Sequence, residues 1–154
     1  MTQYVAETLW VRGDQNFLDQ RYSRKHLLRF DGGLEVPGSS APSSVPLPMS
    51  DAAALNPEEA LVAATSSCHM LWFLSIAAKR KFRVDRYHDA AIGITEHNAQ
   101  GKLFIARISL KPAVKFSGLT TPSHTEIAAM HREAHEECYI ANSVRAEIVI
   151  ESQP

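Results

Sequence analysis

The sequence predicts an α+β fold with the element order β-β-β-α-β-β-α-β. Three observations lead there. Short runs in which apolar and polar residues alternate lie both before and after the middle of the chain. Between them stands one long apolar stretch, NPEEALVAATSSCHMLWFLSIAAKRK (56–81), with helix signals at both ends. There is no internal repeat, and no linker is long enough to split the chain into domains, so one domain spans residues 1–154.

Each element has its own signal. YVAETLWV (4–11) and RYSRKHLLRF (21–30) alternate in strand fashion around a polar DQNFLDQ segment. Asp31-Gly32-Gly33 marks a turn, and LEV (34–36) is a short third strand, closing an N-terminal β-region over 1–36. PGSSAPSSVPLPMSD (37–51) holds four prolines and many serines, which predicts an extended loop over 37–55 lying across the surface. The part from 56 to 154 then begins with the central helix. Asn56 can cap it, Pro57 suits the first helical position, and Glu58 and Glu59 complement the positive end of the dipole. Lys79-Arg80-Lys81 suits its end. The helix is apolar on nearly every face, so it must be covered on all sides, by sheets or by a second subunit.

VDRYHDAAIGITEH (84–97) and KLFIARISLKPAVKF (102–116) read as two strands around a turn at Asn98–Gly101. Thr121-Pro122-Ser123 opens a second helix over 123–139, and VRAEIVIE closes the chain as an alternating strand.

Composition narrows the function classes. With 154 residues, 45% of them apolar, the chain can bury a sizeable core. The net charge of −1 and the absence of a basic run argue against nucleic acid as a partner. Residues 60–78 lack any Asp, Glu, Lys or Arg, which is the length of a membrane span. Thr65, Ser66, Ser67, His69 and Ser75 within that window favour the core helix of a soluble protein instead. The start, MTQYVAETLWVRGD, has no secretory pattern, and two cysteines are too few for a stapled secreted scaffold. A cytoplasmic location without membrane attachment is expected. No Gly-rich phosphate loop and no GxSxG elbow are present, so neither chemistry is implied.

The chemistry-bearing residues are few. Cys68 stands in the middle of the apolar helix, and Cys138 ends the second one. Either thiol alone is most simply a small buried hydrophobe. Together they can form an attacking and a resolving thiol, a sulfenic acid on the first condensing with the second. Nucleophilic use of Cys68 needs a cation near the sulfur, and only His69 is close in sequence. A rival constellation is metallic. His131, His135 and Cys138 at i, i+4, i+7 share a helical face, and with Cys68 or His69 they could make a tetrahedral zinc site.

NPEEALVAATSSCH and AHEEC together resemble the two hallmark segments of the OsmC/Ohr family, the osmotically inducible and organic hydroperoxide resistance proteins. The element order is similar too, so the resemblance covers nearly the whole chain. It implies a cysteine-based peroxidase acting on organic hydroperoxides without a bound cofactor or metal, and an intertwined homodimer whose central helices pack together. By that likeness Cys68 is the nucleophile and Cys138 resolves it. The catalytic Glu, ten residues before the cysteine, is Glu58. The family's Arg precedes an Asp-Gly turn, which selects Arg24, with Arg21 and Arg29 as competitors. Such an Arg holds the thiolate and polarises the peroxide, while the carboxylate fixes the Arg through a bidentate pair. Small residues at Thr65, Ser66 and Ser67 are expected to leave room for the substrate, and His69 is expected to pack or hydrogen-bond. A lipoyl-type dithiol is the implied reductant. The chain departs from the family's peroxidases after Cys138, where Tyr139-Ile140-Ala141 replaces a common Pro-Tyr-Ser. That departure, like the long loop, bears on substrate and reductant preference.

Overall fold

A computed structural model describes residues 1–152. The chain divides into two compact units, Met1–Ala60 and Leu61–Pro154.

The first unit is built on a three-stranded antiparallel sheet, β1 (Ala6–Leu9), β2 (His26–Phe30) and β3 (Glu35–Gly38), in that order. The first two strands are shorter than their alternation predicts. Residues 10–25 instead form irregular chain gathered round Trp10, whose indole N–H donates to the Ser23 carbonyl at 2.8 Å. Phe17 stacks on Tyr22 with ring centroids 4.6 Å apart. The proline-rich loop is not simply draped over the surface. Ser39 and Ser50 are buried, the Ser39 hydroxyl accepts the Asp51 N–H, and Asp51 pairs with Lys25 at 2.9 Å. Backbone bonds from Leu55 N–H to the Pro37 carbonyl and from Ser39 N–H to the Leu55 carbonyl tie its two ends together.

Helix α1 (Pro57–Lys79) starts as its capping residues dictate. The Asn56 side chain accepts the Glu59 N–H at 2.8 Å, and the Glu59 carboxylate reaches back to the Asn56 N–H. The two strands expected after α1 form differently from their sequence pattern. Each of the two long runs bends and becomes two strands: β4 (Arg83–Asp89) and β5 (Ile92–His97), then β6 (Leu103–Leu110) and β7 (Pro112–Ser117). β4 pairs with β7, and β5 with β6, both antiparallel, so the run changes sheets at each bend. Asp89 holds one bend to the other by accepting the Lys111 N–H at 2.6 Å. Helix α2 (His124–Glu137) opens with a full capping box between Ser123 and Glu126, and β8 (Glu147–Ile150) joins β6 in parallel.

The core of the second unit lies between these parts. Phe73, Ile76 and Ala77 of α1 meet Met130 and Ala134 of α2, with Tyr87, Val114 and Phe116 packed against them from β4 and β7. Thr65, His69, Phe73, Ile76 and Ala77 are the buried residues of α1, spaced so that they form one stripe. Within the single chain the opposite face of α1 is open: Ala63, Ala64, Ser67 and Ser75 are exposed, and Leu71 is 60% exposed. The charge-free length of α1 would suffice for a membrane span by composition alone, but the stripe is core.

One polar pair is sealed in that core. His69 Nε2 and His131 Nδ1 share a hydrogen bond of 3.0 Å, with the rings nearly parallel at 8°. Phe73 stacks on His131 at 4.3 Å. Burial lowers both imidazoles from 6.5 to about 4, and His131 and His135 push His69 further down against an opposing pull from Asp89.

Two outcomes follow for stability. A Cβ on Gly93 would lie 2.6 Å from Val62 Cγ2, so Gly93→Ala is expected to destabilise by about 1–3 kcal/mol, and Val62→Ala should relieve it in a denaturation series. The histidines set an acid limit. Their folded values lie below the unfolded 6.5, so the unfolded chain binds more protons between 6.5 and about 4. Stability is complete above that window and falls as pH drops through it. Denaturation at about pH 7 and about pH 5 should differ by on the order of 2 kcal/mol per ring, and His69→Phe/His131→Phe should flatten the slope.

Candidate functional site

α1 and α2 each contribute a cysteine, and the fold brings the two thiols together. Both are free, Cys68 half-buried in the middle of α1 and Cys138 fully buried at the C-cap of α2. Their side chains lie near enough for Cys68 to act on the Cys138 thiol. Burial raises the Cys138 thiol above its ordinary value, and the neighbouring Cys68 adds to the rise. Backbone N–H groups of Ala141 and Ile140 oppose it, the former reaching Cys138 Sγ at 3.4 Å. Spacing along the chain could not show this meeting, because seventy residues and four strands separate the two cysteines.

The small residues before Cys68 have structural work that their size alone did not reveal. Thr65 is buried and donates to the Leu61 carbonyl at 2.9 Å, one turn back in its own helix. Ser66 donates to Asp89 Oδ2 at 2.5 Å. Of the three residues expected to make room for a substrate, Ser67 is the one left exposed. Asp89 is a residue that sequence reasoning missed. It accepts from both Ser66 and Lys111, tying α1 to the bend between β6 and β7. A solitary acid at the end of a strand carries no local signal for such a role.

His131, His135 and Cys138 do share a face of α2, but Nδ1 of His131 is already engaged by His69. Among the described residues no group of three or more His, Cys, Asp and Glu side chains is arranged to hold a metal ion.

In the first unit the three candidate arginines are in different states. Arg29 is committed to carboxylates, to Glu35 at 2.7 Å and to Glu7 at 3.3 Å. Its guanidinium is raised by those two acids. Arg24 lies over the Tyr22 ring at 3.8 Å and donates through Nη1 to the Gln20 and Tyr22 carbonyls. Arg21 is exposed. Among the described residues neither Arg24 nor Arg21 forms an ion pair, and no bond joins Arg24 to Glu58. Glu59 has taken the capping role at the start of α1, which leaves Glu58 exposed beside it.

Comparison with known proteins places this geometry in a family. The model of the OsmC-like protein family matches residues 50–153. An OsmC-like protein of unknown function from Vibrio cholerae superposes with a TM-score of 0.97 at 47% identity, over 99% of this chain and 100% of that one. An organic hydroperoxide resistance protein from Elizabethkingia anophelis shares the fold at a TM-score of 0.68 and 18% identity, covering 98% of this chain and 95% of its own. The organic hydroperoxide resistance protein OhrB of Bacillus subtilis does so at 0.64 and 15%, over 99% and 98%. No curated protein matches the chain. With the family model covering most of its length and a full-length relative at 47% identity, the chain belongs to the OsmC-like family.

Proposed function

We propose that this protein is a cysteine-based thiol peroxidase that reduces organic hydroperoxides in the cytoplasm. The observation that carries this reading is the proximity of a half-buried and a fully buried free thiol, one on α1 and the other at the end of α2. The exposures suit two different tasks. Cys68 is open enough to meet a substrate, whereas Cys138 is shielded from solvent with Cys68 as its neighbour.

The chemistry balances without a bound cofactor. The Cys68 thiolate attacks the distal oxygen of the hydroperoxide, the O–O bond breaks, and the alkoxide leaves with a proton as alcohol. Cys68 is then a sulfenic acid. Cys138 forms the S–S bond, its proton joins the departing hydroxide, and water leaves. A dithiol of lipoyl type returns both thiols by exchange. Burial keeps Cys138 a thiol, and so unreactive towards peroxide, until the sulfenic acid stands beside it.

Activation of Cys68 is assigned to Arg24, with Glu58 as the carboxylate that orients it. The state of the side chains supports this choice over Arg29, whose charge is already met by Glu35 and Glu7. The working unit is a homodimer, and the exposed face of α1 around Leu71, Ala63 and Ala64 is what a second copy would cover.

One equivalent of an organic hydroperoxide should convert reduced protein to an intramolecular Cys68–Cys138 disulfide, read by peptide mapping; both thiols remaining free would defeat the mechanism. Cys68→Ser should abolish turnover, and Cys138→Ser should leave a sulfenic or sulfinic acid on Cys68. Arg24→Ala should slow alkylation of Cys68 at neutral pH by about tenfold, and Arg24→Lys should restore part of the rate. An unchanged rate, with Arg21→Ala or Arg29→Ala slow instead, would move the assignment to that residue. Sedimentation should give a dimer that Leu71→Arg weakens.

A further inference from the structure

We propose that His69 and His131 are positioning residues for closure of the Cys68–Cys138 disulfide, their mutual hydrogen bond setting α2 on α1 so that the sulfurs meet. The role in turnover rests on the peroxidase reading; the role in closure does not.

The placement is specific. His69 directly follows Cys68 on α1, and His131 lies on the face of α2 that ends at Cys138. The bond between Nε2 of His69 and Nδ1 of His131 spans 3.0 Å, and the two residues are 1% and 3% exposed. The other contacts between the helices in this core are apolar, Phe73, Ile76 and Ala77 against Met130 and Ala134. Such contacts are non-directional and tolerate small slides. A ring-to-ring hydrogen bond does not, since it weakens steeply when misaligned. Disulfide formation is equally demanding: it needs a Cα separation of roughly 4.4–6.8 Å and a narrow torsion. A misplacement of about 1 Å can cost a reaction about a hundredfold. The directional bond beside the thiols is therefore the buried element that can hold that register, the Arg80–Glu133 ion pair being solvent-exposed and beyond the end of α1.

The pair is also built to persist. The titratable groups that act on it from outside are His135 on α2 and Asp89 on β4. Burial keeps both rings neutral at working pH, so one proton is shared across the contact and the bond stays intact. The outer nitrogens, His69 Nδ1 and His131 Nε2, have no protein partner among the described residues. Bonding is thus concentrated on the one inner contact.

The test exploits which nitrogen each ring uses. The amide nitrogen of Asn can stand in for Nδ1 and that of Gln for Nε2. Reduced protein is treated with diamide, which takes up two hydrogens as the Cys68–Cys138 disulfide forms, with no peroxide required. His131→Asn and His69→Gln should close within about threefold of the wild-type rate, while His131→Gln and His69→Asn should slow closure by about tenfold or more. A purely space-filling role would not separate Asn from Gln in opposite senses at the two sites. His69→Phe/His131→Phe, which leaves no polar atom in the seam, should keep its melting transition and still close slowly. Equal rates for the two amides at each site, or wild-type closure in the double Phe variant, would overturn the proposal. In the hydroperoxide reaction the slow variants should form the Cys68 sulfenic acid at the normal rate and resolve it slowly. Absence of any hydroperoxide reaction in the wild type would sink the peroxidase reading and leave the diamide result to decide this one.

Discussion

The second unit depends on a single stripe of one helix. Thr65, His69, Phe73, Ile76 and Ala77 turn one side of α1 into core, and α2 and the β4–β7 sheet are arranged to cover it. Burying a Phe or Ile side chain contributes roughly 1.5–3 kcal/mol, so the stripe outweighs any surface ion pair nearby, such as the half-exposed Arg80–Glu133 contact. The same stripe decides where the chemistry can be. Cys68 lies at its edge and is half-buried, so its thiol is neither sealed in the core nor fully in bulk water.

Covering the stripe also fixes the second thiol. α2 must present Met130 and Ala134 to α1, and Cys138 follows Ala134 by four residues on the same helical face. The packing that hides Phe73 therefore delivers Cys138 to Cys68 as a consequence, not as a separate device. His131 belongs to this face as well. A polar pair in an apolar seam is costly unless satisfied, and each histidine meets half of the other's need.

How much of this was legible depended on whether the signal was local. Helix α1 could be read closely because Asn56, Pro57 and the terminal lysine act within a turn of the ends. The pairing of long runs could not. VDRYHDAAIGITEH contains no proline or glycine where it bends, because the bend is made by Asp89 accepting from a lysine backbone twenty-two residues on. The histidines show the same limit from the other side. The spacing of His131, His135 and Cys138 places them on one face, yet their partner on α1 is a long-range neighbour, and a zinc site and a hydrogen-bonded pair look alike until His69 is seen. The arginines differ again. Arg29 sits opposite Glu7 and Glu35 in strand register, and that pairing is what withdraws it from the candidates.

The departure after Cys138 acquires a physical meaning in this frame. A proline following the cysteine would end α2 by geometry alone. This chain has Tyr139 there and uses other means. The Asn142 side chain donates to the Glu136 carbonyl at 2.8 Å and to the Cys138 carbonyl at 3.1 Å, capping carbonyls that the helix leaves open. Tyr139 meets Trp72 of α1 edge to face, with centroids 6.0 Å apart, so the segment is also anchored on the helix that carries Cys68. The turn so formed directs the Ala141 N–H at Cys138 Sγ. That contact partly offsets the burial of the thiol, since an N–H donor stabilises developing negative charge on sulfur. Side chains thus do here what a rigid ring would do, and they aim a donor at the Cys138 sulfur.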